Sequence, residues 1–153
     1  MRLTALAMAV ALTGGAAQAQ DTYMGVALDY GTPHAGEDQA LASLLAGANF
    51  DVSGFTVGAE IEYGASVALA GDYDTLRLRL LGGYDFNGFT ALASVGSTRY
   101  DFGDTTNSGY NYGVGGQFPI SDSLDVRGEI MRDMMGTEAS NTTTTRLAAI
   151  YSF

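Results

Sequence analysis

Apolar and polar positions alternate with a period of two over most of the chain beyond residue 20. That period belongs to strands with one face in an apolar environment and the other in a polar one. The clearest stretch is Phe55 to Gly64, where Phe55, Val57, Ala59, Ile61 and Tyr63 oppose Thr56, Gly58, Glu60, Glu62 and Gly64. The same rule predicts strands over Thr22 to Tyr30, Leu41 to Phe50, Thr75 to Asp85, Phe89 to Tyr100, Tyr110 to Phe118, Leu124 to Arg132 and Thr142 to Phe153, eight in all. Leu41 to Phe50 (LASLLAGANF) also fits a turn of helix. Asp51 to Gly54, Asp85 to Gly88 and Ser121 to Ser123 read as short turns, the second of Asn-Gly type. Pro119 should end its strand because it cannot donate to a ladder.

Longer polar connections are expected at Gly31 to Asp38, Ala65 to Asp74, Asp101 to Gly109 and around Met134 to Asn141, about eight to ten residues each. Long and short connections alternate, so both ends of the chain fall on the side of the short turns. Outward aromatics then fall at two levels: Phe50, Phe55, Tyr84, Phe89, Phe118, Tyr151 and Phe153 near the turns, and Tyr30, Tyr63 and Tyr112 toward the loops. An apolar band about 25 Å tall with wet edges calls for two such girdles.

The first nineteen residues differ. Met1-Arg2 is a minimal positive region, Leu3 to Leu12 is apolar, and Ala17-Gln18-Ala19 has the small-x-small form of a cleavage site, so residues 1–19 read as a secretory signal peptide and 20–153 as one domain. Ten apolar residues fall short of the roughly 20 that a spanning helix needs, and no later run approaches that length. Entry into a membrane would therefore require a closed barrel, because lipid offers no partner to an open sheet edge.

Cysteine, lysine and tryptophan are absent, so thiol chemistry and disulfides are excluded, and no metal or other cofactor is expected. Cleavage after Ala19 leaves six arginines against 17 acids, a formal charge of −11, which argues against nucleic acid as a partner. Arg77, Arg79, Arg127 and Arg146 take the inward parity, which an arginine's cost of about 2 to 4 kcal/mol at mid-bilayer would fix. Glu60, Glu62, Asp125 and Glu129 share that interior. One antiparallel register pairs Glu60 with Arg79 and Glu62 with Arg77, and Glu129 with Arg146 would bridge the last two strands.

Glu60-x-Glu62 could also be read as an acid-base pair. The structural reading is preferred, because arginines match the acids and an eight-stranded interior is just wide enough to be filled by side chains. A plugged, ion-paired lumen is the expectation. Arg99 and Arg132 take the outward parity at the loop ends of their strands, where lipid phosphates or plain solvent would meet them.

With these features the chain resembles the small eight-stranded outer-membrane β-barrels grouped as OmpA-like transmembrane domains, OmpX and opacity-type surface proteins. The sharpest matches are GFTVGAEIEYG at Gly54 to Gly64 and RLAAIYSF at Arg146 to Phe153. The resemblance implies an all-β, antiparallel up-and-down transmembrane barrel in a Gram-negative outer membrane, expected as a monomer. It implies outer-membrane lipid and lipopolysaccharide as surroundings, where the hypothesis for Arg99 and Arg132 is contact with lipopolysaccharide phosphates and the alternative is solvation at the rim. It also implies insertion by the barrel-assembly machinery, which would read Leu147, Ala149, Tyr151 and Phe153 on the closing strand. A structural or surface-interaction role follows. A narrow porin is the alternative, supported by lumen glycines such as Gly58, Gly113 and Gly115. Some outer-membrane enzymes that modify lipid A acyl chains use an extracellular histidine with a serine and an acid. His34, the single histidine, has no His-x-Ser pair, so no enzyme is expected.

Overall fold

The computed structural model describes residues 21–68, 73–136 and 140–153. The proposed signal peptide at 1–19 lies outside them, as do parts of two predicted loops. Every regular element among the described residues is a strand: β1 (Asp21–Pro33), β2 (Gln39–Val52), β3 (Phe55–Ala68), β4 (Asp74–Asp85), β5 (Thr90–Asp101), β6 (Thr106–Pro119), β7 (Leu124–Met135) and β8 (Thr142–Ser152). Each pairs antiparallel with its sequence neighbours, and β1 pairs with β8, so the sheet closes into an eight-stranded barrel. Closure leaves no unpaired strand edge.

The two tightest turns carry the residues that their geometry demands. Ser53 and Gly54 have φ of 54° and 86°, and Asn87 and Gly88 have 63° and 119°. Left-handed dihedrals at both central positions match the strand twist of a two-residue hairpin. The Asp85 carboxylate accepts from Asn87 N–H at 2.7 Å and stiffens the second turn. The ambiguous leucine-rich segment is strand throughout, with Leu41 and Leu45 buried and Leu44 exposed.

The loops are shorter than expected. β6 begins at Thr106 instead of Tyr110, which leaves only 102–105 between β5 and β6, and 34–38 alone joins β1 to β2. Strands of 11 to 14 residues exceed the ~9–11 that cross a bilayer. The surplus lies on the loop side, where Thr106-Asn107-Ser108 continues the ladder without an apolar outer face. Pro119 does close β6, but as a paired member opposite Asp125.

The two faces of the wall are opposite in chemistry. Every strand turns aliphatic residues outward, among them Leu28, Leu44, Val57, Leu80, Val95, Val114, Ile130 and Leu147, and Leu28 is 65% exposed. On the turn side Phe55, Tyr84, Phe86, Phe89 and Phe118 form a continuous run of rings with centroids 4.8 to 5.4 Å apart. Phe86 and Phe89 belong to the turn itself, which carries the run from β4 to β6. Tyr30, Tyr63 and Tyr112 stand exposed toward the loops.

Candidate functional site: the lumen

Inside the barrel the charged residues converge. β3 supplies Glu60 and Glu62, and the register sets them opposite Arg79 and Arg77 of β4. Glu62 accepts from Arg77 Nη1 at 2.7 Å and from Arg146 Nη2 at 2.5 Å. Glu60 accepts from Arg79 Nε at 3.1 Å, from Arg79 Nη2, from Arg127 Nη1 at 2.6 Å and from Tyr23 Oη at 2.8 Å. Register also places Glu129 beside Arg146, but its stronger partner is Arg79, at 2.8 Å against 3.8 Å.

Asp125 does not join the ion pairs. It stands near the turn end of β7 and accepts from Gln117 Nε2 at 2.6 Å, while Gln117 Oε1 accepts from Arg127 Nε at 2.9 Å. The amide relays between two groups too far apart to meet.

Asp29 and Asp133 are members that the sequence pattern did not single out. Asp29 accepts from Arg146 through Nε and Nη2, both at 2.7 Å, a bidentate pair across the seam between β1 and β8. Asp133 accepts from Arg77 Nη2 and from Tyr100 Oη, both at 2.9 Å. Asp29 lies on the inward parity of β1, alternating with the outward Leu28 and Tyr30. Asp133 lies one residue past the predicted end of its strand. Arg77 and Asp133 are both 0% exposed.

Five buried carboxylates (Asp29, Glu60, Glu62, Glu129, Asp133) thus meet four buried guanidiniums (Arg77, Arg79, Arg127, Arg146). Burying ions costs several kcal/mol each and is tolerable only with near-complete pairing. Apolar clusters lie to either side: Tyr23, Ala27, Leu45, Ala148 and Ile150 toward the turns, and Leu41, Tyr73 and Tyr100 with Met135 toward the loops. Outside the strands, burial pushes the Tyr73 hydroxyl up to about 12, so it stays protonated.

The glycine positions are occupied from alongside. A Cβ on Gly113 would meet Met131 Cγ at 2.7 Å, one on Gly115 would meet Glu129 Cγ at 2.7 Å, and one on Gly58 would run into Asn49. These glycines admit neighbouring side chains.

The other sequence-predicted residues lie on the outer face. Arg99 has a side chain 56% exposed, 3.9 Å from Asp101 Oδ2, and Arg132 Nη1 donates to Thr143 Oγ1 at 2.5 Å. Leu147, Tyr151 and Phe153 are exposed on the closing strand and Ala149 is half-buried. Phe153 N–H donates to Thr22 O at 3.0 Å. His34 is exposed in the first loop, where its N–H donates to Asn141 O at 2.8 Å.

No protein-family model and no curated protein matches the sequence. Solved structures do resemble it. Ail, the attachment invasion locus protein of Yersinia pestis, superposes with a TM-score of 0.67 at 13% identity, covering 87% of this chain and 97% of Ail. Neisserial surface protein A gives 0.62 at 13% identity, over 87% of this chain and 96% of its own. The outer membrane enzyme PagL gives 0.53 at 11% identity, over 83% and 98%. The chain has the fold of the small eight-stranded outer-membrane barrels, a fold that surface proteins and an enzyme share.

Proposed function

We propose that the protein is a structural, surface-exposed barrel of a Gram-negative outer membrane, with a lumen closed by its ion pairs and short acidic loops outside. The inversion of the wall carries this reading: aliphatic side chains from all eight strands face outward while nine charged groups are buried within. In water such a belt would far exceed the ~300 to 600 Å² apolar patch of a typical monomer. In a bilayer it is the ordinary outer surface. The filled glycine positions support a closed lumen over a porin. Ser140, the serine beside the histidine loop, accepts from Ala35 N–H at 2.9 Å and contacts Asn141 O at 3.4 Å. Its hydroxyl is engaged with backbone, which supports a role other than catalysis.

Purified protein should need detergent, and its gel mobility should shift on boiling. In planar bilayers it should show no stable conductance steps. Unshifted mobility would remove the membrane reading, and steady openings would remove the closed lumen. The same gel assay addresses two finer points. Deleting Phe153 should slow insertion by the assembly machinery while leaving the preformed barrel intact, if the outward row Leu147, Ala149, Tyr151 and Phe153 is what is read. Replacing Arg99 and Arg132 with Gln should weaken any dependence of refolding on lipopolysaccharide, if these two arginines meet its phosphates.

A further inference from the structure

On the loop side of the ion pairs, the mouth of the barrel holds a cavity of about 340 Å³. Its lining includes Glu37 from the β1–β2 connection and Gln39 at the start of β2, Tyr100 near the end of β5 and Phe102 just beyond it, Met135 at the end of β7 and Ser140 from the last connection. Two of its surfaces are aromatic and held from outside the cavity. The Tyr100 hydroxyl is fixed between Arg77 Nη2 at 3.2 Å and Asp133 Oδ2 at 2.9 Å. Tyr73 stacks behind both rings, with centroids 5.9 Å from Tyr100 and 5.4 Å from Phe102.

The formal charge at this mouth is negative. Glu37 is the single ionisable acid or base of the lining apart from the tyrosine, Asp38 and His34 share its connection, Asp101 ends β5 and Asp104 follows it. The nearby Arg99 lies on the outer face beside Asp101. Gln39 adds a buried Oε1 with no hydrogen-bond partner among the described residues. The site therefore offers the exposed ring of Phe102, a carboxylate and an unused acceptor; the cation beside it, Arg77, stands over the buried Tyr100 ring at 5.8 Å and is already paired with Glu62 and Asp133.

We propose that this mouth binds the guanidinium of an arginine side chain presented by a basic peptide. A planar cation stacks on aromatic faces and donates in a fork to carboxylate and amide oxygens. Met135 would cover the methylene stem. The volume sits at the low end of the ~300 to 1,000 Å³ of small-molecule sites, which suits one side chain and not a folded partner. The inference goes beyond the structural role and does not depend on lumen closure.

The test is a nuclear magnetic resonance titration of isotope-labelled barrel in micelles. The probes are blocked glycyl-arginyl-glycine, its citrulline counterpart of equal shape without charge, and sucrose octasulfate as a polyanion. The arginine peptide should give saturable shifts at the Glu37, Phe102 and Ser140 amides. The citrulline peptide should bind at least about tenfold more weakly, and Glu37→Gln and Phe102→Ala should each weaken the arginine peptide by about tenfold. Both positions are exposed, so folded gel mobility should persist in the variants. Equal response to citrulline, shifts that do not saturate, indifference to Glu37→Gln, or octasulfate binding at these amides would each overturn the proposal.

Discussion

The two sides of the lumen wall are built on different plans. β3, β4, β7, β8 and β1 supply every buried charge among the described residues, whereas the inward positions of β5 and β6 run Ser94, Gly96, Thr98, Tyr100 and Asn111, Gly113, Gly115, Gln117. Tyr100 and Gln117 of that second wall hydrogen-bond to the ion pairs. Eight strands enclose a narrow interior, so long arginines on one wall require small residues on the other. The side-chain polar atoms of Ser94, Thr98 and Asn111 have no hydrogen-bond partner among the described residues, and buried groups of this kind are ordinarily satisfied by water. One wall is therefore held by its own charges, and the other yields the room that their side chains fill.

Three substitutions test that division, in falling order of effect. Arg77→Met strips Glu62 and Asp133 of a shared partner and should cost about 3 to 5 kcal/mol, read as a lower urea midpoint for loss of the folded gel band. A loss below about 1 kcal/mol would mean that the ion pairs do not hold the barrel. Gly113→Leu overfills the small wall against Met131 and should cost about 1 to 3 kcal/mol in the same assay. A neutral result would show free space there and favour the porin. Thr98→Val removes a hydroxyl without a hydrogen-bond partner among the described residues, so the change should stay within about 1 kcal/mol. If it rivals Arg77→Met, the two walls are not distinct.

Much of this arrangement is legible in the sequence, and the residues that are not share a physical reason. Glu60 with Arg79 and Glu62 with Arg77 lie on strands adjacent in sequence, where strict alternation and opposite charges at matching spacing leave little choice of register. Asp29 with Arg146 depends on how the sheet closes, and no turn sets that register. Asp133 with Arg77 reaches across the lumen from β7 to β4. Such a contact depends on barrel diameter and side-chain reach, which a linear pattern does not encode. The loop lengths were missed because strands that rise beyond a lipid band no longer need apolar outer residues. Thr106 to Gly109 and Met134-Met135 therefore carry no alternation to mark them as strand.

The seam between β1 and β8 has a consequence in time. Arg146 and Asp29 are 117 residues apart in the chain, whereas Arg77 and Glu62 are separated by 15. By loop-closure entropy alone, joining the first pair costs about 2 kcal/mol more than joining the second. Hairpins can zip locally, but the seam must wait for both ends of the sheet to meet, and non-local pairing of this kind is slow. Until then both edges stand unpaired. Because the bidentate Arg146–Asp29 pair sits on those two edges, a single encounter joins the ladder and seats a cation at once, so closure should resemble a latch more than a gradual zippering.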